Sequence, residues 1–169
     1  MLGEILHDVD PARATRHLED ALALARSVHA GFIADITLVS LASLHGRHGD
    51  PRRALELFIE VVGNWRRQGA WRQQWVTLRN VAELLDRLGL EAQAAVLLGA
   101  IDAAPTAPPV YGAQATRLSE LRDRLEVQLE QGGMRVATDQ GAAMIDDEVV
   151  NYARSAMEDA CSVQSVAGR

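Results

Sequence analysis

Lysine is absent from the chain, cysteine occurs once, and aromatic side chains make up only 4 % of its 169 residues. The lone Cys161 closes no internal disulfide, which suits a reducing cytoplasm. The shortage of aromatic residues removes side chains that strands prefer. No apolar run reaches the ~18 residues that a membrane-spanning helix needs. No basic N-terminal region leads into an apolar one, so neither a membrane contact nor a signal peptide is expected. The patterns GxxxxGK(S/T), GxGxxG, HExxH and GxSxG are all missing. No catalytic residue, cofactor or metal is assigned. Arginine supplies all 17 basic residues, a habit of GC-rich genomes more than a mechanism, and the net charge of −6 argues against general nucleic-acid binding.

What is present is alanine, leucine and valine, a mixture that suits helices packed on helices in a single domain. The stretch 31–104 is organised by a gapless period of forty residues. Asp10-Pro11 returns as Asp50-Pro51, and the same register falls on Leu90-Glu91; Ala14, Ala54 and Ala94 align. Thr37, Leu38, Ala42, Leu44, Arg47 and Gly49 meet Thr77, Leu78, Ala82, Leu84, Arg87 and Gly89. A fixed period of this length marks an array of helical hairpins.

The helices follow from punctuation and spacing. Residues 1–8, in register with the second half of 31–49, read as the end of a helix whose start lies outside the sequence. Asp10 and Asp50 are N-caps with proline in the first helical position. Helices are expected over about 11–30, 32–48 (with Ile36, Val39, Leu41, Ala42 and Leu44 apolar), 51–69, 70–88 and 90–104. The last of these is small or apolar nearly all round, as in a helix covered on several sides. Pro105, Pro108 and Pro109 break the pattern. A charged helix over 114–131 carries Leu118, Leu121, Leu125 and Leu129 and stops at Gly132-Gly133. Residues 134–144 read as irregular. A final helix over 147–160 takes Asp146 as cap and an Ile145–Val150 staple, and 161–169 read as a frayed tail. The expected organisation is therefore all-α: helical repeats over 1–104, a Pro-rich connection over 105–112, C-terminal capping helices over 113–160 that pack back on the repeats, and the tail. Seven or eight antiparallel helices are expected.

The repeat resembles the tetratricopeptide repeat. Leu38 and Ala42 stand at its tryptophan and small-residue positions, Gly49 at the turn, and Ala54 and Phe58 in the second helix. It departs from that family's period of about 34 residues, and His45 stands where the family often has tyrosine. The resemblance implies an α–α superhelix whose concave face is lined by the first helix of each pair. That would present Ser43 and Arg47 from one unit and Arg79, Glu83, Asp86 and Arg87 from the next. The wider stretch 31–160 is similar to the C-terminal region of bacterial signal-transduction ATPase regulators, LuxR-like and AfsR-like transcriptional regulators and relatives fused to nucleotide cyclases. The residues that carry this are Leu85 to Gly89, Ala95-Val96-Leu97-Leu98-Gly99-Ala100, Pro105 to Pro109, and Gly141, Met144, Asp147, Glu148 and Val150. It implies an upstream ATPase and an output domain. With no helix-turn-helix after residue 132, it implies that the output lies at the N-terminal end.

The most unusual composition is WRRQGAWRQQWVTLR, residues 65–79, with Trp65, Trp71, Trp75, Arg66, Arg67, Arg72 and Arg79 and no acid between Glu60 and Glu83. Such aromatic and guanidinium groups clamp acidic partners or nucleotides, and they equally fill space between helices while the arginines stay wet. His45 and His48 share a helix end but lack a third metal ligand beyond Asp50. Asp146, Asp147 and Glu148 suit the start of a helix. The leading expectation is a non-catalytic interaction or sensor domain that meets a protein partner or another domain of the same polypeptide on its concave face, through Ser43, Arg47, Trp71, Arg72, Trp75, Arg79, Glu83, Asp86 and Arg87. Two rivals stand beside it: a self-association module using Val150, Ala153, Met157 and Ala160 or the end at residues 1–8, and a small-molecule domain using residues 65–79.

Overall fold

The computed structural model describes residues 10–167; the reading of residues 1–8 lies outside them. Among the described residues every regular element is helical. We number them α1 (Pro11–Ser27), α2 (Gly31–His48), α3 (Pro51–Gln68), α4 (Trp71–Arg87), α5 (Glu91–Ala103), α6 (Ala113–Ala142) and α7 (Asp146–Ala167). The chain forms two compact units, divided within α3 between Asn64 and Trp65.

The forty-residue period is visible in the backbone itself. After α1, His29 adopts φ 56°, and after α3, Gly69 adopts φ 65°. The turns match bond for bond. Ala30 N–H donates to Ala25 O at 2.8 Å and Ala70 N–H to Trp65 O at 3.0 Å. Gly31 and Trp71 N–H donate to His29 and Gly69 O, both at 3.0 Å. The Thr37 and Thr77 hydroxyls donate to the carbonyls of Ile33 and Gln73, each at 2.8 Å. These 6→1 closures satisfy carbonyls at the helix end, and they need a residue in the left-handed region.

The unit ending at Asn64 contains α1, α2 and most of α3. Asp10 caps α1 through its carboxylate, which accepts from Arg13 N–H at 3.0 Å with proline following, as expected. Ala14, Leu22 and Ala25 form the buried stripe of α1, while α3 buries Ala54, Leu55, Leu57, Phe58, Val61 and Val62. Asn64 donates to the buried carboxylate of Asp35, tying α3 to α2, and Arg26 on α1 meets Glu60 on α3 at 2.7 Å.

The unit from Trp65 onward is built around α5. Every residue from Ala94 to Ile101 is buried, since α4, α6 and α7 all pack on this helix. A helix with no polar face needs such cover on all sides. The tightest contact is a crossing of glycines. A Cβ on Gly99 would lie 2.6 Å from Thr138 Cα, and one on Gly141 would lie 2.8 Å from the Ala100 nitrogen. The backbones of α5 and α6 touch there because neither glycine carries a side chain.

Several sequence expectations are corrected in this unit. Residues 134–144 are not irregular: α6 runs to Ala142. Its break lies at Glu130 (φ 54°, ψ 165°), before the Gly132-Gly133 pair that was expected to end it. Met134, Ala137 and Gly141 are buried at helical spacing, and this packing on α5 outweighs the low helix propensity of two glycines. The last helix continues through the expected tail to Ala167. At its start Ile145 is exposed and no staple closes over it. Instead the Glu148 carboxylate accepts from Ile145 N–H at 3.0 Å, placing Asp146 inside the helix and not at its cap.

Candidate functional site

Two polar stripes, one on α2 and one on α4, carry the residues that sequence reasoning placed on a binding face. Ser43 and Arg47 on α2 stand forty positions before Glu83 and Arg87 on α4, and the two stripes end differently. On α4 the stripe is covered by the chain's own residues 104–124. The Trp75 indole N–H donates to Thr106 Oγ1 at 2.8 Å, and the Arg79 guanidinium donates to the Pro108 carbonyl. Glu83 meets Arg117 at 3.3 Å, and Asp86 accepts from Arg124 at 3.0 and 3.1 Å. Beside them Arg122 grips Asp102 with two bonds of 2.6 Å, which raise its pKa further above the ordinary arginine value. Leu118, Leu121 and Leu125 are buried below these pairs, so the C-terminal helices do pack back.

Burial along this stripe is deep. Trp75 is 1 % exposed and Arg79 3 %. Desolvation pulls the Arg79 guanidinium below its ordinary pKa, while the field of Asp102 opposes the shift. Arginine still stays charged at neutral pH. Arg79 Nε and Asp86 Oδ1 are buried and make no hydrogen bond among the described residues. The same holds for both polar side-chain atoms of Gln74, which is fully buried. Leaving such a group unpaired costs about 1–3 kcal/mol.

The tryptophans divide between packing and surface. Trp65 is buried and donates to Thr77 Oγ1 at 3.1 Å. Trp71 is half-buried and Arg72 exposed at the start of α4, and Arg87 is exposed at its end. Arg66 turns to α7, with Asp147 at 3.0 Å and Asn151 Oδ1 at 2.6 Å. Val150, Ala153, Met157 and Ala160, the stripe considered for self-association, are buried inside their unit.

The α2 stripe is open over part of its length. Ile36, Ser40, Ser43 and Arg47 fall on one face at helical spacing. Ser43 is buried with its hydroxyl making no hydrogen bond among the described residues, and Arg47 is half-buried. Toward the start of α2 the face turns apolar and exposed: Phe32 is 49 % exposed, Ile33 55 % and Ile36 43 %. Leu24 and Val28, one turn apart at the end of α1, are exposed as well. By spacing alone Ile36 groups with the apolar residues Val39, Leu41, Ala42 and Leu44 of this helix. The signal this passes over is the alignment of Ile36 with the stripe already drawn through Ser43 and Arg47.

At the other end of the hairpin a cleft of 420 Å³ lies between the start of α1 and the end of α2, lined by Asp10, Pro11, Thr15, Leu44, His45 and His48. Burial, aided by Arg53, lowers the His45 pKa against the pull of Asp50 and Glu19. Among the described residues no group of three or more His, Cys, Asp or Glu is arranged to hold a metal ion, and no helix is long and apolar enough to cross a membrane. Comparison with known protein families, with characterised proteins and with solved structures finds no match to this chain.

Proposed function

We propose that the chain is a helical-repeat interaction domain of a bacterial signalling or transcriptional regulator. It binds a protein partner, or another domain of its own polypeptide, through the open face of α2 and the adjoining end of α1. The observation that carries this reading is the cluster Leu24, Val28, Phe32, Ile33 and Ile36. All five are exposed and sit where α1 turns into α2. Soluble monomers seldom present gathered apolar surface of this kind without a use for it. On α4, by contrast, Glu83, the register partner of Ser43, is met by Arg117 of the chain's own α6. The regulator context rests on the resemblance of residues 85–150 described above, and the cytoplasmic setting on the single cysteine.

The test is photo-crosslinking from a photoreactive residue at position 36, with exposed Ser155 on α7 as the control position. A discrete adduct from position 36 alone, lost when Phe32→Asp is added, is the expected result. Equal adducts from both positions would overturn the proposal. The adduct's mass separates a second copy of this chain from a different partner.

A further inference from the structure

Residues 104–112 join α5 to α6 as an irregular strap containing Pro105, Pro108 and Pro109. Residues 104–107 close a turn, Ala107 N–H donating to Ala104 O at 3.2 Å, and the prolines remove N–H donors, leaving carbonyls and the Thr106 hydroxyl as groups the strap offers. The face of α4 beneath it is made of donors. Trp75 and Arg79, one turn apart, deliver an indole N–H to Thr106 and a guanidinium to the carbonyl of Pro108. Both donors are fixed by burial, whereas Pro105, Thr106 and Pro109 are exposed. The receiving side is rigid and the received side is a strap laid over it.

Two features bear on whether this strap can be exchanged without undoing the fold beneath. Helix α6 is anchored without it, by Leu118, Leu121 and Leu125 in the core and by the Glu83–Arg117 and Asp86–Arg124 pairs. The strap also leaves the stripe's capacity unfilled. Arg79 spends its hydrogen bond on an amide carbonyl and not a carboxylate, and its Nε and the Asp86 Oδ1 are buried with no hydrogen bond among the described residues.

We infer that the Trp75–Arg79 stripe of α4 is a receptor for a proline-containing peptide, closed in cis by residues 105–109 and open to an external segment of the same chemistry when the strap lets go. A tethered guest competes at an effective concentration in the millimolar range. An external peptide therefore succeeds when it supplies the additional acceptor for Arg79 or when the tether is loosened. This site shares no residue with the α1–α2 surface, and the proposal stands or falls independently of that surface.

The experiment uses the full chain with Pro105, Pro108 and Pro109 all replaced by glycine. This loosens the strap and leaves α4 untouched. The probe is the synthetic peptide AAPTAPPVYG, residues 103–112, with a scrambled peptide as control. The readout is the indole N–H resonance of Trp75 in nitrogen-15 spectra, with that of Trp65, bonded to Thr77, as an internal reference for folding. In the glycine variant the Trp75 indole is expected to exchange with solvent at least about tenfold faster than in the wild type. The peptide, but not its scramble, restores protection with half-saturation near or below about 1 mM. A Trp75 signal that never leaves its wild-type position overturns the proposal, because the strap is then not its partner. A signal that moves and then ignores the peptide overturns it as well. Should the variant lose its helix content, the wild type is titrated to about 10 mM peptide. Release of Thr106, seen as its methyl resonance moving while Trp75 stays protected, is the expected outcome, and an unmoved Thr106 overturns the proposal.

Discussion

His29 is a bulky residue doing a glycine's work. Its φ of 56° matches the 65° of Gly69 forty positions later, and the hydrogen bonds around the two turns are the same. A side chain in the left-handed region carries a cost of about 1 kcal/mol that glycine avoids. His29 is exposed, so nothing else is lost when it changes. His29→Gly is expected to stabilise the chain by about 0.5–1 kcal/mol, read as a rise in the denaturant midpoint at constant m-value. An unchanged or lower midpoint would mean that the side chain makes a contribution the turn geometry does not reveal. The sequence hides this residue because a histidine gives no turn signal; only the forty-residue register, with Gly69 at its far end, points to it.

Among the elements, the α5–α6 crossing concentrates the most consequence in the fewest atoms. Any side chain at position 141 must displace the backbone of α5, for its Cβ would lie 2.8 Å from both the Ala100 nitrogen and the Val96 carbonyl carbon. Backbone inside a fully buried helix cannot give way as a flexible side chain does. Gly141→Ala is expected to cost about 3 kcal/mol or more, at the upper end for overpacking. The same change at exposed Gly132, whose surroundings are open, should be neutral or mildly stabilising. Thermal unfolding of the two variants side by side checks this, and equal midpoints would contradict the crossing. Element boundaries up to Ala103 were legible in the sequence within a residue or two because caps, prolines and period agreed, save the end of α1, which stops three residues early at Ser27, ahead of the turn through His29. Beyond the Pro-rich connection the period is gone. There Gly132-Gly133 outweighed the helical spacing of Met134, Ala137 and Gly141, which makes sense only once α5 is known to lie beside them.

For the whole molecule, the exposed apolar cluster is the feature that composition could not disclose. Leu24, Phe32, Ile33 and Ile36 look like core residues in a linear pattern, and exposure is decided by what packs opposite them. Residues read as groove-lining, Trp75, Arg79, Glu83 and Asp86, are recognisable as a set, yet nothing in their spacing says that residues 104–124 will lie over them. A triple change Leu24→Gln, Ile33→Gln and Ile36→Gln is expected to leave stability within about 0.5 kcal/mol per site. It should also lower the fluorescence of a hydrophobic dye bound to the native protein. A marked loss of stability would show that these side chains serve the fold and not a partner.

Helix α5 is complete at Ala103, but the helix whose glycine seals its crossing is finished only at Ala142. Chains are synthesised at about 5–20 residues per second, so the interval between the two lasts on the order of seconds. Throughout it the nascent chain carries a helix with no polar side of its own. For those seconds the apolar surface of α5 has no α6 to cover it, so a chain halted before Ala142 is expected to bind more of a hydrophobic dye than the finished chain does.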